Sequence, residues 1–166
     1  MSTTLSAAEA LFAEAVARQR AGDLAGAAAL YRRALAADPA HGPAALNLGH
    51  VLRRLGAPGV ADAFRAAADA ADDPTLRLRA LDGLIGAGRH REAIDRVDVA
   101  LARAPDDPEL RNLRGAALFA AGDVAGARAE FDRARSIAPA QARFHANAGA
   151  ARRALGQADA AIEAYR

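Results

Sequence analysis

Four histidines, His41, His50, His90 and His145, are the side chains of this 166-residue chain best suited to proton transfer or metal ligation. No two of them fall in an HExxH spacing. Cysteine is absent, so no Cys-based zinc or iron–sulfur site and no disulfide can form. His41 and His90 fall in turns, where solvation is their expected role. His50 is the best functional candidate, because Arg53 and Arg54 follow one helical turn later and bring two guanidiniums near an imidazole. No serine stands in a GxSxG context. The phrase GAPG, Gly56 to Gly59, lacks the lysine of a phosphate-binding loop, and the chain has no lysine at all. Neither catalysis nor a metal or other cofactor is expected of these residues.

All 22 basic residues are arginine, set against 20 acidic ones, and the net charge is only +2. The pI of 9.9 follows from that small surplus of groups that do not titrate until very high pH. Residues 1–83 hold nine arginines and nine acidic residues; residues 84–166 hold thirteen and eleven. Arginine pairs such as Arg32 with Arg33 have acidic residues interspersed around them, and aromatics for base stacking are few, so nucleic acid is not an expected partner. No stretch of 18 apolar residues occurs, and the N-terminus lacks a basic start followed by an apolar run. Membrane association is therefore not expected, and a cytoplasmic location is the default.

The elements that position these side chains are announced by glycine. Gly22, Gly56, Gly88, Gly122 and Gly156 are 34, 32, 34 and 34 residues apart. Related phrases follow: GDLAGAAALYRRALAADP from Gly22, GRHREAIDRVDVALARAP from Gly88 and GDVAGARAEFDRARSIAP from Gly122. Each glycine closes one helix cheaply in the left-handed conformation, and a second, oppositely running helix follows. Ala27 and Ala34, Ala93 and Ala100, and Ala127 and Ala134 put small residues on one face where the paired helices meet. Tyr31, Val97 and Phe131 stand between them to fill the adjoining gaps. Pro39, Pro105 and Pro139 then stop the second helices. The 51 alanines among 166 residues, with few aromatic or β-branched types, suit closely packed helices and not sheets. Such a hairpin cannot bury its own apolar face, so neighbours must stack.

This pattern closely resembles the tetratricopeptide repeat family, including its bacterial members. The resemblance implies an all-α, right-handed superhelical solenoid of antiparallel helix hairpins, one domain over 1–166. Its repeats are expected at 8–41, 42–73, 74–107, 108–141 and 142–166, the last truncated before its final helix ends. Repeat 42–73 departs from the pattern. Pro58 and Gly59 stand where its second helix should begin, and Pro74 comes one residue late. A shifted helix start is expected there, with a correspondingly short first helix in the repeat that follows.

In the resembled family the first helices line a concave face that receives a peptide or protein segment, making the protein a binding scaffold. Carried over to this sequence, the first repeat offers Phe12 and Val16 to the groove, and the second offers Leu46, His50, Arg53 and Arg54. The third adds Leu78 and Asp82, the fourth Asn112 and Phe119, and the fifth Arg143 and Arg153. Apolar anchors are thus mixed with arginines suited to gripping a carboxylate. The apolar members have a competing role as core between repeats. A known subclass binds acidic chaperone tails through lysines, asparagines and an arginine. Asn47 and Arg79 match that clamp but Phe12, Val16 and Thr75 do not, so chaperone tails are not the expected ligand.

Arg166 falls inside the second helix of the last repeat, which reads as a fragment of a longer chain. Similar bacterial proteins join such repeats to a sulfotransferase, glycosyltransferase or methyltransferase domain, and substrate recruitment for such a domain is the alternative function. Self-association through the open last repeat is a third expectation.

Overall fold

A computed structural model describes residues 6–156, and among these every regular element is an α-helix. They are α1 (Ala7–Arg20), α2 (Leu24–Ala37), α3 (Gly42–Leu55), α4 (Val60–Asp69), α5 (Pro74–Gly86), α6 (His90–Leu101), α7 (Pro108–Ala120), α8 (Val124–Ile137) and α9 (Ala142–Ala154). The part of the last repeat expected to carry self-association lies outside the described residues. The chain packs as two compact units, one ending at Gly83 and the other beginning at Leu84, so the division falls within α5.

Local chemistry explains where the helices start and stop. Gly22, Gly56, Gly88 and Gly122 between successive helices, and Gly156 after α9, all adopt positive φ, between 62° and 91°, the left-handed geometry of a tight turn that ends a helix. Acidic side chains cap α2, α7 and α8. Asp23 accepts from the Gly26 amide at 2.8 Å, Asp123 from the Gly126 amide at 2.9 Å, and Asp107 from the Glu109 amide at 2.8 Å. Each satisfies a donor that the first helical turn leaves unpaired, and places negative charge at the positive end of the helix dipole. The Gly26 amide, with help from Arg18, holds the Asp23 carboxyl below the usual carboxylate range.

In the first unit α1 packs on α2, α2 on α3 and α3 on α4. Ala27 and Ala34 are fully buried on either side of a fully buried Tyr31, facing Ala15 of α1 within one core. In the second unit α6 packs on α7, α7 on α8, and α9 on both α7 and α8. Ala127, Phe131 and Ala134 repeat the small–large–small seat there, and Phe131 occupies the space left by Gly115, where a Cβ would come within 2.6 Å of the ring.

The irregular repeat has the shifted helix start expected of it, but the short helix is a different one. α4 starts four residues after Gly56, where α2 and α8 start two after their glycines, because Ala57 to Gly59 form the turn and Gly59 caps the helix at φ 91°. The short helix is α4 itself, with 10 residues; α5, expected to be short, has 13, the same as α7. Phe64, one residue closer to its glycine than Tyr31 or Phe131, serves as the large residue of this repeat and is fully buried. Gly49 of α3 and Gly83 of α5 give way to its ring from two helices, since a Cβ on either would approach to 2.7 and 2.4 Å. The departure from the pattern therefore keeps an aromatic filler and moves it.

Candidate functional site

α3 carries His50, Arg53 and Arg54 within slightly more than one turn, so all three share a face. Beneath them lies Phe64. The His50 ring meets it edge-on at 5.1 Å, and the Arg53 guanidinium lies 5.8 Å from its centroid. Arg53 Nη2 is 3.2 Å from His50 Nδ1. A guanidinium has no acceptor, so Arg53 donates and Nδ1 carries no proton in this arrangement. From α5, Arg79 and Asp82 complete the surroundings. Burial lowers the pKa of His50, Arg53 and Arg79 lower it further, and Asp82 opposes them. The field at His50 is therefore net positive.

That positive field is not visible in a charge count, because the first unit is formally balanced. Most of its carboxylates other than Asp82 are engaged elsewhere. Asp23, Asp38 and Asp73 turn towards backbone amides at 2.8 to 3.0 Å. Glu14 pairs with Arg18, and Asp62 with Arg65. Arg53, Arg54 and Arg79 are exposed and form no ion pair among the described residues.

The apolar part of the predicted groove divides. Phe12 and Val16 are half-buried and pack on the core of the first unit, leaving one side of each accessible. Leu78 is also half-buried. Leu46 is 1% exposed and belongs to the core, so the expectation that it lines a binding face is corrected. His41 is a second correction. It is no solvated turn residue but is buried at the start of α3, where Nδ1 accepts from the Ala44 amide at 3.2 Å and Nε2 lies 3.5 Å from Glu9. Its ring packs on Phe12 at 4.8 Å. Beside it the Tyr31 hydroxyl donates to Gln19 at 2.7 Å and accepts from Asn47 at 3.3 Å, a polar chain joining α1, α2 and α3. Burial pushes the Tyr31 phenol above its ordinary pKa.

Two of the four predicted residues of the second unit, Asn112 and Arg143, join α7 to α9. Arg143 of α9 pairs with Glu109 of α7 and lies 4.9 Å from the Phe144 ring centroid. Asn112 accepts from Asn147 at 2.7 Å. Phe119 is 39% exposed and Arg153 is exposed. Deeper in the unit, Glu130 of α8 accepts from Arg111 at 3.1 Å and Arg114 at 2.9 Å, and Arg114 also reaches Asp98 of α6 at 2.6 Å. Asp98 and Glu130 raise the pKa of Arg114. Arg152 of α9 binds Asp132 at 2.6 Å. Guanidiniums here hold helices to each other.

The structure thus brings His50, Arg53 and Asp82 together and adds two residues that the groove reading omitted. Phe64 was hidden by the one-residue shift of its repeat, although it is the only aromatic between Tyr31 and Phe119 apart from histidine. Arg79 was legible only as a match to the clamp of the chaperone-tail binders. No group of three His, Cys, Asp or Glu among the described residues could hold a metal ion, and no described helix is long and apolar enough to cross a membrane.

Comparison with known proteins bears on this arrangement. The profile of the tetratricopeptide repeat family matches residues 12–74 and 78–142. Protein FlbA of Caulobacter vibrioides is 33% identical over 156 residues, covering 89% of this chain and 25% of FlbA, so the chain spans about a quarter of that relative's length. Among solved structures, MamA from Desulfovibrio magneticus RS-1 superposes with a TM-score of 0.70 at 16% identity, over 95% of this chain and 90% of that one. YrrB, described as a tetratricopeptide protein with an unusual peptide-binding site, gives 0.62 at 22% identity, over 93% and 80%.

Proposed function

The chain belongs to the tetratricopeptide repeat family, and on that premise we propose that it is a protein-binding scaffold whose first unit receives a peptide or protein segment across α1, α3 and α5. One observation carries this reading. Arg53, Arg54 and Arg79 are exposed cations without an ion pair among the described residues, and the same unit offers half-buried Phe12, Val16 and Leu78 as apolar footing. A cation left unpaired on the surface keeps its capacity for two parallel hydrogen bonds to an incoming acceptor. The second unit shows the alternative use of arginine, in which the guanidiniums of Arg111, Arg114, Arg143 and Arg152 are already engaged. The peptide-binding site in YrrB's description supports a peptide ligand by analogy of fold.

The test is a displayed peptide library selected on the wild-type chain, with the selected peptides titrated against Arg53→Glu/Arg54→Glu. Both side chains are exposed, so helicity by circular dichroism stays unchanged while affinity falls at least tenfold. Equal affinity for the double variant would refute the assignment of this face. A second reading has the repeats recruit substrate for a catalytic domain of a longer chain; the match covers 25% of FlbA, which leaves room for further domains in such a relative. It predicts that the selected peptides match a segment of an enzyme's substrate protein.

A further inference from the structure

The contact between Arg53 and His50 gives the face a property that an array of arginines alone lacks. Arg53 is held 3.2 Å from the unprotonated Nδ1 of His50, over the ring of Phe64. Nδ1 can accept either the guanidinium hydrogen bond or a proton, never both. A proton at Nδ1 therefore releases Arg53 and creates a second donor beside it. The charged groups acting on His50 are Arg53 on its own helix and Arg79 and Asp82 on α5, while α4 contributes the uncharged Phe64. Two cations against one carboxylate disfavour that proton until a further negative charge arrives.

Resting on the reading of this face as a binding site, we propose that its occupant is an acidic segment whose carboxylate is shared by Arg53 and His50, and that binding takes up one proton from solvent at His50 Nδ1. The charges balance: one imidazolium forms against one bound carboxylate, and Arg53 exchanges a neutral imidazole acceptor for a charged oxygen. Charge-assisted bonds of that kind are about twice as strong as neutral ones. Arg79 is placed to take the remaining carboxylate oxygen or the next acidic residue of the segment. A neutral peptide gains nothing from the exchange, because it supplies no charge to compensate the imidazolium.

The sign of the pH dependence follows. The free face keeps His50 below its ordinary pKa, and a bound carboxylate raises it. Between the two values the complex holds more protons than the free partners, so affinity increases as pH falls. One proton limits the slope to about tenfold per pH unit. The carboxylate of the ligand itself titrates near pH 4, below this window.

The experiment uses a peptide selected on the wild-type chain and its counterpart with every Asp and Glu replaced by Asn and Gln. Both are titrated calorimetrically between about pH 5.5 and pH 8, around the ordinary range of histidine, in buffers of different ionisation heat. The expected result is tighter binding of the acidic peptide at low pH with uptake approaching one proton. The neutral counterpart should bind weakly and without pH dependence. His50→Gln should bind the acidic peptide more weakly than wild type at the acid end of this range and lose the slope. Equal binding of the two peptides, or the same slope in His50→Gln, would overturn the inference. If affinity still depends on Arg53 and Arg54 in that case, the face remains a binding site for a segment of other chemistry. If affinity is indifferent to those arginines, the reading of the face fails along with it.

Discussion

Replacing Gly83 with alanine tests the packing that carries the candidate site. A Cβ at this position would lie 2.4, 2.6 and 2.6 Å from Cδ1, Cε1 and Cγ of Phe64, well inside ordinary contact. The ring cannot simply retreat, because a Cβ built on Gly49 of α3 is itself within 2.7 Å of it; the aromatic is gripped between two backbones. Phe64 is fully buried, so the displacement must pass into α3 or α5. Overpacking of this kind costs about 2–3 kcal/mol. Alanine returns about 1 kcal/mol through its higher helix propensity. The net loss is then about 1–2 kcal/mol, which for a chain of this length lowers the melting temperature by roughly 2–8 °C. Urea unfolding of wild type, Gly83→Ala, Phe64→Leu and the double variant measures the coupling directly. A smaller side chain at position 64 makes room for the new methyl, so Gly83→Ala should cost at least about 1 kcal/mol less in the Phe64→Leu background. Equal or greater stability of Gly83→Ala alone, or additivity within about 0.5 kcal/mol, would refute the claim that the two helices close on this ring.

The same reasoning gives three further outcomes. Asp123→Ala removes the acceptor of the Gly126 amide at the start of α8 and should cost about 1 kcal/mol, read by thermal unfolding. Tyr31→Phe keeps the ring in its buried seat but deletes the hydroxyl between Gln19 and Asn47; a loss of about 1 kcal/mol by urea unfolding is expected. Glu130→Gln leaves Arg111 and Arg114 without their shared carboxylate, and should cost about 2 kcal/mol in the same measurement.

The fold was legible because its punctuation is local. A glycine that must take positive φ and alanines seven residues apart around an aromatic are signals that survive in a single sequence, and Gly22, Ala27, Tyr31 and Ala34 occupy the structure as that logic requires. Phe64 escaped because its seat is defined by two glycines, Gly49 and Gly83, on separate helices. A repeat alignment asks for the aromatic at a fixed distance from Gly56, and the turn Ala57 to Gly59 moves it by one residue. His41 escaped for a related reason. Its place before Gly42 and Pro43 marks a turn, but burial comes from Phe12 of α1, a contact that no local pattern encodes.

Charge was the least legible feature, and the physical cause bears on function. Nine arginines against nine acidic residues in 1–83 suggest neutrality, yet several of the carboxylates are directed at backbone amides. Asp23 binds both the Gly26 amide and Arg18, whereas Asp38 and Asp73 bond to backbone amides. Asp23 and Asp73 place negative charge at the starts of α2 and α5, while Asp38 closes the turn after α2. In 84–166 the arginine surplus is larger, but Asp98, Glu109, Glu130 and Asp132 lie mid-helix or on facing helices and are taken by arginines. The second unit also spends Asp107 and Asp123 on helix caps, so the placement of the remaining carboxylates, and not their number, decides which guanidiniums on α3 and α5 stay available to a ligand.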